Sequence, residues 1–354
     1  MLCRVGLRVA VALAVLATAV PTLALDPARQ LSQFGHRSWT QQQGLPQDSV
    51  RAIAQAPDGA LWIGTDEGLA RFDGTDFTVY RQSADGLPGS LITTLIAARD
   101  GSIWVGTLAG VSRLRDGRFT NYTSANGLGT PTVSDLFESA DGTIWAVGGR
   151  LVTAFRHDAI VNYGPEQGVP AEGLRELVES ADGLLLGVGF ADVVRFDGKR
   201  FHRYANPAAL ADSFGASLTV DRAGVLWAGT SRGLVSIDRL GQARGYSVAD
   251  GVPAVPVRAA IVDRDGTLWI GTPNGLARRE GDRFVRVSAP GFREGVSVWD
   301  LFEDRDGGLW VGTSSGLHRF REQQFTMFGT PEGFPSDKPT AVWEDPRGTL
   351  WIGF

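Results

Sequence analysis

The chain is almost without cysteine. Its one cysteine, Cys3, precedes an apolar run, where no lipid anchor is attached, so disulfides and thiol chemistry are excluded from the exported part. Histidine is scarce. His36, His157, His202 and His318 are too scattered for a metal cage, and no metal or cofactor is expected. An excess of positive charge is missing too. The formal net charge is −5, which argues against a nucleic-acid partner. Beyond residue 25 no segment is apolar enough to cross a bilayer.

What is present begins with a leader. Arg4 and Arg8 precede an apolar run from Val9 to Val20. Small residues follow at Ala17-Thr18-Ala19 and Thr22-Leu23-Ala24. Residues 1–24 therefore read as a secretory signal peptide, cleaved after Ala24 or Ala19, which predicts an exported, periplasmic protein. The run is short for a span of about 20 residues, which disfavours an uncleaved anchor. Glycine is abundant: 46 of 354 residues, about 13% against a typical ~7%. Many turns, and hence β-structure, are implied.

The turns are periodic. "GALWIGTDEGLARFDG" from Gly59 returns as "GSIWVGTLAGVSRLRDG", "GVLWAGTSRGLVSIDR", "GTLWIGTPNGLARREG" and "GGLWVGTSSGLHRFRE". The tryptophans fall at Trp62, Trp104, Trp145, Trp227, Trp269, Trp310 and Trp351, at intervals of 42, 41, 82, 42, 41 and 41 residues. Leu186 stands midway through the double interval, giving eight copies and marking copy four as the weakest unit. A period near 41 with several short strands per copy predicts an all-β propeller of four-stranded blades over residues 34–354. In copy one the strands are "SVRAIAQ", "ALWIGT", "LARF" and "DFTVY", separated by "APDG", "DEG" and "DG". Asp-Gly favours tight turns because glycine takes positive φ freely. Tyr80, Tyr122, Tyr163, Tyr204 and Tyr246 end fourth strands, with Val287 and Phe328 in copies six and seven. One period before Tyr80 stands Trp39, so "HRSWT" is a fourth strand without its first three. Copy eight supplies two strands and stops at Phe354. The expectation is seven complete repeats, an N-terminal strand and a partial eighth repeat. In that reading Trp39 completes a blade begun near Pro339, and the ring has seven or eight blades.

Catalytic signals are weak. "DRDG" at Asp263 and Asp304 lacks the third acidic residue of a calcium loop, since Ile261 and Phe302 stand there, so a turn is expected. A sialidase-type hydrolase needs a tyrosine nucleophile, but every tyrosine lies in the strand-four column, where packing explains it. Binding is better supported. Eleven residues before each tryptophan stand Arg51, Thr93, Ser134, Arg175, Ala216, Arg258, Trp299 and Thr340; ten before stand Ala52, Thr94, Asp135, Glu176, Ser217, Ala259, Asp300 and Ala341. The next column inward is uniformly apolar. First strands line a propeller's channel, so Arg51, Asp135, Arg175, Glu176, Arg258 and Asp300 are expected to ring one mouth as a ligand site, against the plainer reading of a wet channel.

The motif "DG-x-[LI]-W-[IVA]-G-T-x-x-G-[LV]-x-R-[FL]", preceded by "GLP", resembles the two-component regulator propeller family over residues 34–354. The resemblance implies a periplasmic sensor region: paired seven-bladed rings, then a β-sandwich, a membrane helix and a histidine kinase or diguanylate cyclase output, with oligosaccharides among the ligands. No such output follows here, so the chain reads as the N-terminal part of a longer polypeptide or a truncated product. A non-catalytic sensor module is expected, with a small ligand and C-terminal signalling domains or a partner protein, and with dimers in the full-length context. A protein-binding scaffold and a secreted polysaccharide hydrolase or lyase are the alternatives.

Overall fold

The computed structural model describes residues 34–322 except 83–84, 157–158, 206–207, 211–212, 214 and 288–294; it also describes 25, 335, 338, 340–344 and 350–353. The leader over residues 1–24, His157, Phe328 and Phe354 lie outside the described residues. The described chain is strand with a few single-turn 3-10 helices, and it forms a seven-bladed propeller. Blades one to six are antiparallel four-stranded meanders over residues 50–80, 92–122, 135–163, 174–205, 215–246 and 259–287.

Blade seven corrects the expected closure. Its first three strands span Val298–Glu303, Leu309–Thr313 and Gly316–Arg321, and its fourth is the N-terminal Gly35–Trp39. Trp39 lies opposite Leu317, and Gly35 opposite Arg321. The N-terminal strand therefore completes repeat seven, not a blade begun near Pro339, and the two ends of the ring are knitted by backbone bonds. This removes the unpaired edge that an open ring would leave. The eighth repeat is a separate two-stranded hairpin, Ala341–Glu344 with Leu350–Gly353. Trp351 is 60% exposed there, so it is not a member of the ring's tryptophan column.

The repeat motif is explained by how blades touch. Seven clusters of buried apolar residues sit one at each blade junction. Trp62, Trp104, Trp145, Trp227, Trp269 and Trp310 all occupy second strands and are buried; Leu186 takes that place in blade four, packed among aliphatic side chains. Tyr80, Tyr122, Tyr163 and Tyr246 lie beside their own blade's tryptophan, with ring centres 5.6–5.7 Å apart, and Trp39 does the same for Trp310 at 5.2 Å. In blade one, the glycine of "WIGT" faces the next blade so closely that a Cβ on Gly64 would meet Ile92 Cγ2 at 2.5 Å. The threonine closes the following turn: Thr65 Oγ1 donates to the Gly68 carbonyl at 2.9 Å, and Thr107, Thr230, Thr272 and Thr313 repeat the bond.

The aspartates of "DRDG" are structural. Asp304 Oδ1 accepts from the Asp306 and Gly308 amides, while Oδ2 accepts from Trp310 Nε1 at 2.7 Å. Asp263 treats Trp269 in the same way. Both carboxylates are buried and filled by N–H donors, as the turn reading expects. The arginine between them clamps the next blade: Arg305 Nη1 donates to the Pro57 carbonyl at 2.8 Å, across the seam between blades seven and one.

Candidate functional site

The first strands stand around the axis, and the starts of all seven converge on one cavity of about 240 Å³. Its lining includes all six residues singled out in the sequence: Arg51, Asp135, Arg175, Glu176, Arg258 and Asp300. They form two layers that differ by one residue along the strand.

The deeper layer is acidic and tied to backbone. Asp300 Oδ2 accepts from the Ile53 amide of blade one at 2.7 Å, and Oδ1 accepts from Leu301 N at 2.8 Å. Asp135 accepts from the Leu177 amide of blade four at 3.0 Å. Glu176 accepts from the Leu218 amide of blade five. Thr94 makes the neutral version of the same contact, taking the Leu136 amide at 3.3 Å. Each side chain thus caps an amide of the next blade around the ring. Desolvation pushes Asp135 and Asp300 up to about 7, and it raises Glu176 well above the usual carboxylate range, with Asp135 adding repulsion. The throat therefore carries neutral or partly neutral carboxyl groups near pH 7.

The outer layer is basic and aromatic. Arg51 is paired with Asp66 and lies 4.5 Å from the centre of the Trp299 ring. Arg258 lies 4.0 Å from the same ring. Arg175 stands over Phe190 at 5.2 Å. Among the described residues, neither Arg175 nor Arg258 has a carboxylate within ion-pair reach. Burial and the charge of Arg51 both depress the Arg258 pKa, so Arg258 carries its charge at a cost. Two further groups at the cavity have no hydrogen-bond partner: Trp299 Nε1 and Ser217 Oγ, the latter on a serine that is 4% exposed.

Sequence reasoning had placed Trp299 and Ser217 in these columns but passed over them because they carry no charge. A larger cleft, about 680 Å³, opens between blades two and three. Arg113 there pairs with Asp100 at 2.6 Å and Arg99 with Glu138 at 3.7 Å, while Arg156 stands over the Trp145 ring and its Nε, like that of Arg113, has no hydrogen-bond partner; the mouth is preferred because the first strands of all seven blades converge on it. Among the described residues no cluster of three or more His, Cys, Asp or Glu could hold a metal ion. No helix among them is long and apolar enough to cross a membrane.

The Two component regulator propeller model matches residues 44–67, 86–109, 251–274 and 292–315, each running from a Gly-Leu-Pro-type connection or its counterpart into the tryptophan strand and the turn after it. Four of the repeats in this chain are thus similar to the repeat of that family. The propeller superposes on the extracellular domain of a hybrid two component system from B. thetaiotaomicron with a TM-score of 0.73 and 21% identity, over 90% of this chain and 47% of that one. It superposes on a streptogramin B lyase with a TM-score of 0.64 and 18% identity, over 81% of this chain and 97% of that one. Both likenesses are likenesses of fold. Histidine kinase P4 of Formosa agariphila is 44% identical over 61 residues, 17% of this chain and 4% of that protein. The chain spans about half the length of the two component extracellular domain it matches.

Proposed function

We propose that this propeller is the exported ligand-sensing input of a bacterial two-component or diguanylate cyclase signalling protein, and that it does no chemistry of its own. The family of its repeats supports this reading, as does its likeness to the extracellular domain of a two component system. The observation that carries it is the channel mouth, where cationic and polar groups without partners converge on one concavity. Convergent polar groups in a pocket are the usual mark of a ligand site. None of the side chains lining the cavity is a histidine or tyrosine, and the carboxyls there are occupied by backbone amides.

The test is twofold. Cell fractionation should recover the protein from the periplasm with residues 1–24 removed. A thermal-shift screen against sugars and peptides should then find a class of compound that raises the melting temperature. Retention in the cytoplasm, or turnover of a polysaccharide by the purified chain, would contradict the proposal.

A scaffold for another protein is the second reading. It draws on the eighth-repeat hairpin, where Val342, Trp343 and Trp351 are each at least 60% exposed. The position equivalent to Trp351 is buried in every blade of the ring, as tryptophan in six and as Leu186 in blade four.

A further inference from the structure

The channel mouth has a chemical character beyond concavity. Arg258 supplies a charge with no counter-charge beside it, and the Arg51 guanidinium shares the same indole ring. Like charges brought together in a partly dry site repel, and an anion placed between them relieves both. Trp299 Nε1 is a buried donor with nothing to donate to. Arg258 and Trp299 Nε1 ask for an acceptor that carries negative charge, and Arg51, itself paired with Asp66, adds to the attracting field.

One layer down the demand changes. Ser217 Oγ of blade five is buried and unpartnered, and Thr93 and Thr94 of blade two line the same cavity. The Asp135, Glu176 and Asp300 carboxyls beneath already accept backbone amides of the next blade, which leaves the hydroxyl side chains to meet a polar guest. A cavity of about 240 Å³ is smaller than the ~300–1,000 Å³ that drug-sized ligands fill, so it has room for a single small ring.

We infer that this mouth binds one hydroxylated acid of sugar size. Its carboxylate sits on Arg258, supported by Arg51 and Trp299 Nε1, and its hydroxyls face Ser217, Thr93 and Thr94. The inference rests on the reading of the propeller as a ligand sensor and names what that sensor takes. Arg175, on the exposed side of the mouth, adds to the attracting field without defining the position of the ligand. Guanidinium–carboxylate pairing is directional and strong where water is partly excluded.

Isothermal titration of the purified chain tests it with galacturonate, glucuronate and gluconate as acids, galactose as the neutral counterpart and sulfate as the bare anion. At least one acid should bind, with galactose at least about tenfold weaker. Arg258→Ala should weaken the acid at least about tenfold with unchanged circular dichroism, and Ser217→Ala should weaken it less. Equal binding of galactose and the acid would show that charge is not read and would overturn the inference while leaving the sensor intact. Sulfate binding as tightly as the acid, and competing with it, would mark an anion site blind to hydroxyls and overturn it too. Silence of all three acids up to about 10 mM would also end it, and a hit from another class in the wider screen would still support a sensor.

Discussion

Two neighbouring positions on the same strands do opposite work at the mouth of this propeller. Asp300 turns its carboxylate to the backbone of the next blade, and both of its oxygens are taken. Arg258, one residue further out in its column, has a charge that no described carboxylate meets. The difference teaches that charge by itself does not mark function in such a ring. What marks it is whether the fold already uses the group. The carboxyls hold blades together, while the arginine and its indole are the groups that the proposed ligand would engage.

Substitutions can break this comparison or sharpen it. A ring at a blade junction sets the upper scale: Trp145→Ala deletes a buried indole that packs on Tyr163 and Phe196, and should cost about 3–5 kcal/mol in chemical denaturation. Asp300→Ala should come next, at about 1–3 kcal/mol, because it leaves the Ile53 amide unpaired at the closing seam. If Asp300→Ala proved neutral, the deeper layer would not be structural and the contrast would fail.

The effect of pH is smaller and has a definite sign. Raised carboxyls bind protons in the folded chain that the unfolded chain has released, so their stabilising share is full below about pH 4 and is lost as pH rises through about 7. Burial lowers His36 and pushes His318 down to about 4, so this pair acts in the other direction, adding stability as pH rises from about 4 to 6.5. Above about pH 6.5 only the carboxyl effect remains. The melting temperature should therefore fall between pH 6.5 and 8, and Asp300→Asn should flatten the fall. Leu186→Trp comes after it. Blade four lacks the indole of its neighbours, yet its aliphatic side chains already fill that space, so the new ring should change stability by about 1–3 kcal/mol through overpacking. Hydrogen exchange over residues 174–205 would show whether blade four is the soft unit that its leucine predicts.

Much of the fold was legible because the period carries it. In the five blades that carry the full motif the tryptophan is buried and the threonine closes the same turn, so one reading serves many times. The mouth was legible for the same reason: the variable columns lie next to a uniform one. Closure was not. A lone fourth strand matches any third strand in pattern, and only the three-dimensional ring brings Gly35–Trp39 to Gly316–Arg321. Nor could side-chain patterns show that Asp135 answers an amide 42 residues away, because a backbone N–H leaves no mark in a sequence. One signal was there to be used. Six residues before the ring tryptophans stand Ala56, Ala98, Ser139, Asp221, Asp263 and Asp304, with Ser180 before Leu186. The serine and the three aspartates all accept the indole N–H.

The division between a bonded throat and an open rim is tested most directly by melting Arg258→Ala beside Asp300→Ala, each with and without a binding acid. The account predicts that Arg258→Ala melts with the wild type and gains nothing from the acid, while Asp300→Ala melts well below it. An Arg258→Ala protein as unstable as Asp300→Ala, or one still stabilised by the acid, would contradict it.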